Sequence, residues 1–310
     1  LTGTPIENSL AELWSIFDFL MPQYLFNYHY FQKQYESSIV KNNDEEKTKQ
    51  LKKLVTPFIL RRNKKEVLKE LPDKIEQNMI LPFSDEEEKI YVANLAKVNE
   101  ELQQLYDIEG SDKMQILKML TRLRQLCLEP RLVYDNIDQP SSKLKACMEL
   151  IQTMQENKQK VLLFSSFTSA LDLIAEECQK AGITYYMLTG STNKEERREL
   201  VSRFQKDDTT LFLISLKAGG TGLNLTSAEN VIHYDPWWNV SAQNQATDRA
   251  YRIGQKSNVQ VFNLVMKDSV EEKIIEMQKR KKELADMFVE NNSGGLSQMS
   301  KEDILSLFTM

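Results

Sequence analysis

Two arginines and a glutamine in the last quarter of the chain are the side chains best suited to chemistry. Gln245, Arg249 and Arg252 are spaced at i, i+4 and i+7, so a helix through them would align all three on one face. We expect Gly254 to end that helix. Two guanidinium groups that point outward suit a triphosphate, because they can contact the charge that spreads over its oxygens during phosphoryl transfer. The alternative is a surface helix whose arginines pair with carboxylates.

A glycine-rich turn upstream offers a second place for an anion. It reads Gly219-Gly220-Thr221-Gly222, and Lys217 stands beside it. The glycines permit positive φ angles and a nest of backbone N–H groups, and Thr221 adds a donor. A tight turn without a ligand is the alternative, but the lysine favours phosphate binding. The phosphate could belong to a nucleotide or to a nucleic-acid backbone.

The elements that must position these residues change in character along the chain. Residues from about 9 to about 130 carry apolar side chains at helical spacing and are predicted to be almost purely helical. From about residue 141, short apolar runs alternate with helical patterns, and a last long helix is predicted near 269–289, followed by a short tail helix. Continuous apolar strands separated by helices indicate an α/β fold, with a parallel sheet covered on both faces.

The predicted strands place several polar residues at one edge of this sheet. The strands are Val161–Ser165, Thr184–Leu188, Leu211–Ser215, Val231–Tyr234 and Val259–Val265, with helices predicted at 167–181, 193–206 and 240–252. Ligands of open parallel sheets bind beyond the carboxyl ends of the strands. The residues found there are Ser165-Ser166, Thr189-Gly190, Lys217 and the segment Asp235 to Asn239.

The segment after the fourth strand, Asp235-Pro236-Trp237-Trp238-Asn239, allows two interpretations. One tryptophan ring at the surface could meet nucleic acid or another domain, or both rings could pack in the core. Asp235 either orients a neighbouring donor or caps the following turn.

An acidic run, Asp85 to Glu88, follows Met79-Ile80-Leu81 and resembles a metal-binding box after a strand. Pro82 argues against a central strand there. Ser84 followed by Glu87 is typical of a capping box that opens a helix. We therefore predict no metal site.

The composition excludes several classes of protein. The 310 residues have a net charge of −5, which argues against nucleic-acid binding by the whole surface but not against a local basic groove. No apolar run approaches membrane-spanning length, so no membrane association is expected. Cys127, Cys147 and Cys178 form neither a metal spacing nor a disulfide framework, which fits a reducing compartment. The isolated histidines, His29 and His233, receive no catalytic role.

The sequence lacks the usual device for holding the β- and γ-phosphates and Mg²⁺. It contains no Gly-x-x-x-x-Gly-Lys-Ser/Thr motif, and the dipeptide Gly-Lys does not occur. The chain also begins at Leu1 without a methionine, so we expect a fragment of a longer protein. If the chain serves an NTPase, it supplies arginines to a site built mainly elsewhere.

Together these motifs resemble the Swi/Snf family of DNA-dependent ATPases, whose motor has two RecA-type lobes. The resemblance covers nearly the whole chain, in the order of the family's motifs. The segments that carry it are Leu1–Asn8, Pro57–Arg62 with Leu71-Pro72, Val161–Thr168, Thr189-Gly190 with Arg197 and Phe204, Leu213–Leu225, Tyr234–Asn239 and Gln245–Gln255. Tyr251 departs from a common family pattern, which has histidine there, but this position is not an arginine finger.

The resemblance implies a RecA-like parallel sheet with helices on both faces, preceded by a mostly helical insertion. Residues 1–8 would end the first lobe, and 9–135 would form the insertion and linker. Residues 136–268 would form the helicase C-terminal lobe, and 269–310 a helical extension.

The resemblance also implies roles for the residues. Arg249 and Arg252 would reach the γ-phosphate of ATP, which the first lobe would hold with Mg²⁺, and Gln245 would orient the motif. Gly220 and Gly222 would approach the nucleotide. The residues expected at DNA are Ser166, Thr189, Gly190, Lys217, Thr221 and Trp237.

The implied function of the intact protein is that of an ATP-driven translocase on double-stranded DNA. This chain alone would be inactive as an ATPase. Its partners would be duplex DNA, the first lobe of the same protein and a DNA-bound protein cargo. The implied location is the cytoplasm and nucleoid of a microbe, or the nucleus of a eukaryote. A non-catalytic binding module for nucleic acid or protein, and a lobe of an RNA helicase, are the alternatives.

Overall fold

A computed structural model describes residues 10–42, 44–59, 71–106, 113–219 and 223–288. These residues divide into two compact units. The first contains the described residues up to Ile59, with 238–241 and 276–288, and the second contains the described residues of 71–237 and 242–275.

Short helices build the first unit. They are Leu10–Leu20 (α1), Tyr28–Phe31 (α2), Ser37–Asn42 (α3) and Glu45–Val55 (α4), with a π-helical turn at Gln32–Glu36 and a 3-10 turn at Thr56–Phe58. Asp44 caps α4 by accepting from the backbone N–H groups of Glu46 and Lys47. The core consists of Leu13, Phe17, Leu25, Phe31, Tyr35, Ile39, Leu51 and Val55. This part of the predicted helical region is confirmed.

A six-stranded parallel sheet forms the centre of the second unit. Its strands are Lys74–Leu81 (β1), Val161–Ser165 (β2), Tyr185–Leu188 (β3), Leu211–Ser215 (β4), Asn230–His233 (β5) and Val259–Met266 (β6), in the spatial order β1-β6-β5-β2-β4-β3. Alternate residues of β2 enter two separate cores: Val161 and Leu163 lie in one, Leu162 and Phe164 in the other. The sheet is therefore covered on both faces, which confirms the predicted α/β class.

Helices connect these strands, and one more follows the last strand. They are Asp85–Tyr106 (α5), Lys113–Leu128 (α6), Ser142–Glu156 (α7), Thr168–Lys180 (α8), Lys194–Phe204 (α9), Leu216–Gly219 (α10), Val240–Thr247 (α11) and Val270–Phe288 (α12). Ser141 caps α7 by accepting from Leu144 N, and Asn193 caps α9 by accepting from Glu196 N.

Strand β1 is an element that the prediction of an almost purely helical region missed. Among the described strands it pairs only with β6, from Lys74 opposite Val259 to Leu81 opposite Met266. Pro82 follows the last paired residue, so its missing N–H costs the ladder nothing. The sheet thus includes a strand that precedes the boundary predicted at 136.

The capping box after β1 is confirmed. The backbone N–H of Ser84 donates to Glu87 Oε2 at 2.7 Å, and Glu87 N donates to Ser84 Oγ at 3.4 Å. Helix α5 begins at Asp85, so the acidic residues form its first turn, where they face the positive end of the helix dipole.

Candidate functional site

The carboxyl ends of neighbouring strands bring the predicted nucleic-acid residues to one edge of the sheet. Ser166 follows β2, Lys217 follows β4, and Thr189 and Gly190 follow β3. Trp237 lies four residues beyond β5. Lys217 and Gly190 are exposed, whereas Ser166, Thr189 and Trp237 are half-buried. This edge therefore presents a lysine, a hydroxyl-rich turn and an accessible backbone.

The turn after β3 is held by its own hydroxyl groups. Thr189 N donates to Thr192 Oγ1 at 3.1 Å, and Thr189 Oγ1 lies 2.8 Å from Ser191 Oγ. A Cβ atom added at Gly190 would meet nothing within 4 Å. Because packing does not require a glycine there, its small size suits the close approach of a ligand.

The glycine-rich turn after β4 is described only up to Gly219. A Cβ atom at Gly219 would lie 2.9 Å from Phe164 Cε1, so this glycine is needed for packing against the sheet. Gly220, Thr221 and Gly222 lie outside the described residues. Their expected contacts with nucleotide and DNA stay predictions.

A buried carboxylate joins the loops that follow β2 and β5. Ser165 Oγ donates to Asp235 Oδ1 at 2.7 Å, and Ser166 N donates to the same oxygen at 3.0 Å. The Ser166 hydroxyl donates to Oδ2. Asp235 therefore orients neighbouring donors, which is the first of the two roles considered for it. The hydroxyl of Ser166 is engaged within the protein, and its contact with DNA stays a prediction.

Arg124 completes this network from α6 and was missed by the sequence reasoning. Its Nη2 donates to Asp235 Oδ2 at 2.7 Å, to Ser166 Oγ at 3.0 Å and to the Pro236 carbonyl at 3.3 Å. A signal was available, because Arg124 lies four residues after buried Leu120 and so falls on the apolar face of its helix. A charge at such a position is seldom buried unless it has a partner.

The two tryptophans do not divide between core and surface. Trp238 is buried, and half-buried Trp237 packs against the core cluster on one face of the sheet. The Arg124 guanidinium carbon lies 5.5 Å from the centroid of the Trp237 ring and 4.9 Å from that of Phe167. The loop after β5 is thus fixed through this guanidinium group.

Helix α11 is shorter than predicted, and the expected alignment of Gln245, Arg249 and Arg252 on one helix face is wrong. The helix ends at Thr247. The Arg249 carbonyl accepts from Leu225 N at 2.9 Å, so a loop distant in the sequence takes an acceptor that a longer helix would use. Gly254, which was expected to end the helix, has φ +104° in a later turn.

The segment after α11 is held near the amino-terminal ends of the strands. Gln255 Nε2 donates to the carbonyls of Ala228 at 2.8 Å and Ala250 at 3.3 Å. Ala228 lies two residues before the first residue of β5, Asn230.

Arg249 and Arg252 form a pair of like charges. Arg249 is half-buried and Arg252 is exposed. Burial lowers the pKa of Arg249, nearby Arg252 lowers it further, and Asp248 acts in the opposite direction. Two neighbouring cations, one of them partly desolvated, favour the binding of an anion.

Gln245 lies half-buried in α11, but Gln243 makes the buried amide contact of that helix. Gln243 Nε2 donates to Asn263 Oδ1 on β6 at 2.9 Å. The orienting role expected for Gln245 stays a prediction.

His233 is a buried structural residue. Its Nε2 lies 2.9 Å from Thr247 Oγ1, and its ring stacks on Phe164 with centroids 5.7 Å apart. Burial lowers the pKa of His233 to about 4, although Glu76 and Asp235 act to raise it. The imidazole is therefore neutral at physiological pH, and it joins the end of β5 to the end of α11.

In the described part of the chain, no three His, Cys, Asp or Glu side chains are arranged to bind a metal ion together. None of the described helices combines the length and the hydropathy that crossing a membrane requires. Cys127, Cys147 and Cys178 are buried free thiols, and burial raises the pKa of Cys178 to about 12.

Comparisons with known proteins place this geometry in a family. The SNF2-related domain matches residues 1–132, and the helicase conserved C-terminal domain matches residues 142–254. An uncharacterized ATP-dependent helicase of Mycoplasma pneumoniae is 38% identical over 99% of this chain. The putative ATP-dependent helicase/translocase YwqA of Bacillus subtilis is 39% identical over 100% of it. The chain spans 29% of the first relative and 34% of the second.

A solved structure agrees with these matches. The Sulfolobus solfataricus SWI2/SNF2 ATPase core in complex with dsDNA is 33% identical, with a TM-score of 0.63, over 99% of this chain and 65% of its own. The order of the motifs, the parallel sheet with its helices and these similarities lead to one conclusion: the chain belongs to the Swi/Snf family of ATP-dependent helicases and contains the second RecA-like lobe of the ATPase core.

Proposed function

We propose that the chain supplies the C-terminal lobe of an ATP-driven motor that moves along double-stranded DNA, with Arg249 and Arg252 as its arginine fingers. The observation that carries this proposal is the half-buried Arg249 beside Arg252, in a turn held by Leu225 and Gln255. Fixed positive charge in a partly desolvated place stabilises the charge that develops on a phosphoryl group during transfer. Gln245 would orient this segment.

ATP and Mg²⁺ would be held mainly by the first RecA-like lobe of the intact protein. The sequence given contains no phosphate-binding loop. We therefore propose that these residues alone do not hydrolyse ATP. Gly220 and Gly222 are retained as candidates for contact with the nucleotide.

The carboxyl edge of the sheet would contact the phosphates of one DNA strand through Lys217, Thr189, Gly190 and Thr221, with Ser166 and Trp237 alongside. Exposed Lys217 and the open space at Gly190 support this arrangement. Contacts of this kind predict little sequence preference and a strong dependence on salt. The crystallised dsDNA complex of the Sulfolobus ATPase core favours duplex DNA over duplex RNA.

The domain boundary expected at 135 is moved forward so that the lobe includes β1, whereas the boundaries at 8 and 268 are part of the proposal. So are the partners of the intact protein, which are duplex DNA, its first lobe and a DNA-bound protein cargo. Action on DNA would place it at the nucleoid of a microbial cell or in a nucleus.

ATP turnover by the intact protein tests the arginine fingers. Arg249→Ala and Arg252→Ala should each lower the kcat of DNA-stimulated hydrolysis by about 10³-fold. Arg203→Ala is the control, because exposed Arg203 pairs with Glu199 on α9. Near-normal turnover in both variants would overturn the assignment, and equal activation by duplex RNA would favour an RNA helicase.

A further inference from the structure

We propose that Arg124 is a positioning residue that holds Ser166 and Trp237 in the orientation in which they meet DNA. This inference rests on the proposed function, since it depends on a DNA-binding role for the carboxyl edge. One side chain from α6 would set the geometry of two loops, those that follow β2 and β5.

Arg124 contacts both loops at once. From the loop after β2 it engages the Ser166 hydroxyl, at 3.0 Å, and the Phe167 ring. From the loop after β5 it engages the Asp235 carboxylate, at 2.7 Å, the Pro236 carbonyl and the Trp237 ring. Loss of the guanidinium group would therefore loosen both loops, which would stay joined by the bonds of Ser165 and Ser166 to Asp235.

The residue must be an arginine for this geometry. A planar guanidinium can place its faces toward the Phe167 and Trp237 rings while its edge donates hydrogen bonds, whereas a lysine ammonium has no face to stack. The Arg124 residue is 6% exposed and Asp235 is 5% exposed. This burial keeps the guanidinium group from a DNA phosphate, so Arg124 acts through its neighbours.

A second contact fixes α6 to the same strand. Tyr234 OH donates to the Leu128 carbonyl, in the last turn of the helix, at 3.0 Å. Arg124 and Leu128 are one helical turn apart, so two points of α6 are anchored to the chain around the end of β5. The helix therefore serves as a rigid support for the loops.

The test measures the duplex DNA concentration that gives half-maximal ATPase stimulation of the intact protein, over a series of salt concentrations. Arg124→Lys keeps the charge and should raise this concentration about 10-fold. The slope of the logarithm of this DNA concentration against the logarithm of salt concentration should stay unchanged, because Arg124 neutralises no phosphate. A slope reduced by about one would show a direct phosphate contact and overturn the inference, as would an unchanged half-maximal concentration.

Arg122→Lys is the matched control on the same helix. Arg122 donates to Asn94 Oδ1 at 3.0 Å and to Tyr134 OH at 3.2 Å, and these residues are outside both strand-end loops. Its variant should bind DNA as the wild type does. If Arg124→Lys fails to fold, Phe167→Leu removes one stacking face without touching the ion pair and should weaken DNA binding about 3-fold. No weakening in that variant would count against the inference.

Two further variants separate this inference from the proposed function. If Ser166→Ala and Trp237→Ala both leave DNA stimulation unchanged, the DNA contact itself is wrong. If they weaken it and Arg124→Lys does not, the contact stands and the positioning role fails. In the Trp237→Ala protein, Arg124→Lys should have a smaller effect than in the wild type, since the two residues act together.

Discussion

The network around Arg124 and the turn that contains Arg249 place an arginine in different electrostatic surroundings. Arg124 is buried and lies 2.7 Å from a carboxylate that accepts from two serines as well. Arg249 is half-buried beside another cation, which helps to lower its pKa. A buried charge with a fixed partner belongs to the scaffold. Arg249 lies beside a second cation, Arg252, as well as beside Asp248, so this turn is the better candidate for an anion site.

The largest effect on stability is expected from Asp235→Ala. This change leaves Arg124 buried without its carboxylate, and Ser165 and Ser166 lose their acceptor. The free energy of unfolding should fall by about 3–5 kcal/mol in a urea titration. Asp172→Ala, at an exposed position of α8, should change it by less than about 0.5 kcal/mol. If Asp235→Ala lowers the free energy of unfolding only slightly, the network around Arg124 is not important for stability.

A smaller effect is expected from pH, through His233, which contacts α11 close to the Arg249 turn. The pKa of His233 is about 4 in the folded protein against an ordinary value of 6.5, so the fold favours the neutral ring. The contribution of His233 to the free energy of unfolding is therefore fully present above pH 6.5. It falls as the pH drops toward 4, by up to about 3 kcal/mol. Unfolding titrations at several pH values check this.

The other histidine provides the control for the pH prediction. His233→Asn should flatten the pH dependence between 6.5 and 4, while His29→Asn, at an exposed site of the first unit, should not. An equal slope in wild type and His233→Asn would show that other groups govern stability in this range.

The smallest effect on stability is expected at the arginine pair itself. Arg249→Ala and Arg252→Ala each remove one of two neighbouring like charges, so the free energy of unfolding should change by no more than about 0.5 kcal/mol in a thermal melt. Arg124→Ala, by comparison, should lose several kcal/mol. If Arg249→Ala melts as early as Arg124→Ala, both arginines are scaffold residues and the comparison fails.

Most of the sheet could be predicted because strand signals are local. The apolar runs at Val161–Ser165 and Leu211–Ser215 match β2 and β4, since a strand buried on both faces needs apolar residues throughout. Strand β1 was not predicted, because its sequence carries little local signal and its pairing partner is distant. It reads Lys-Ile-Glu-Gln-Asn-Met-Ile-Leu, lies at the edge and is stabilised by β6, far away in the sequence.

The candidate site divides in the same way. Local pattern was enough for the family's motifs, for the capping box at Ser84 and for the glycines and hydroxyls at the strand ends. It did not show that α11 ends at Thr247, two residues before Arg249, whose carbonyl accepts from Leu225 N of another loop. Nor could it show that Arg124 pairs with Asp235, 111 residues away. Periodicity and capping act over a few residues, whereas the partners of a buried charge are decided by which elements the folded sheet brings together.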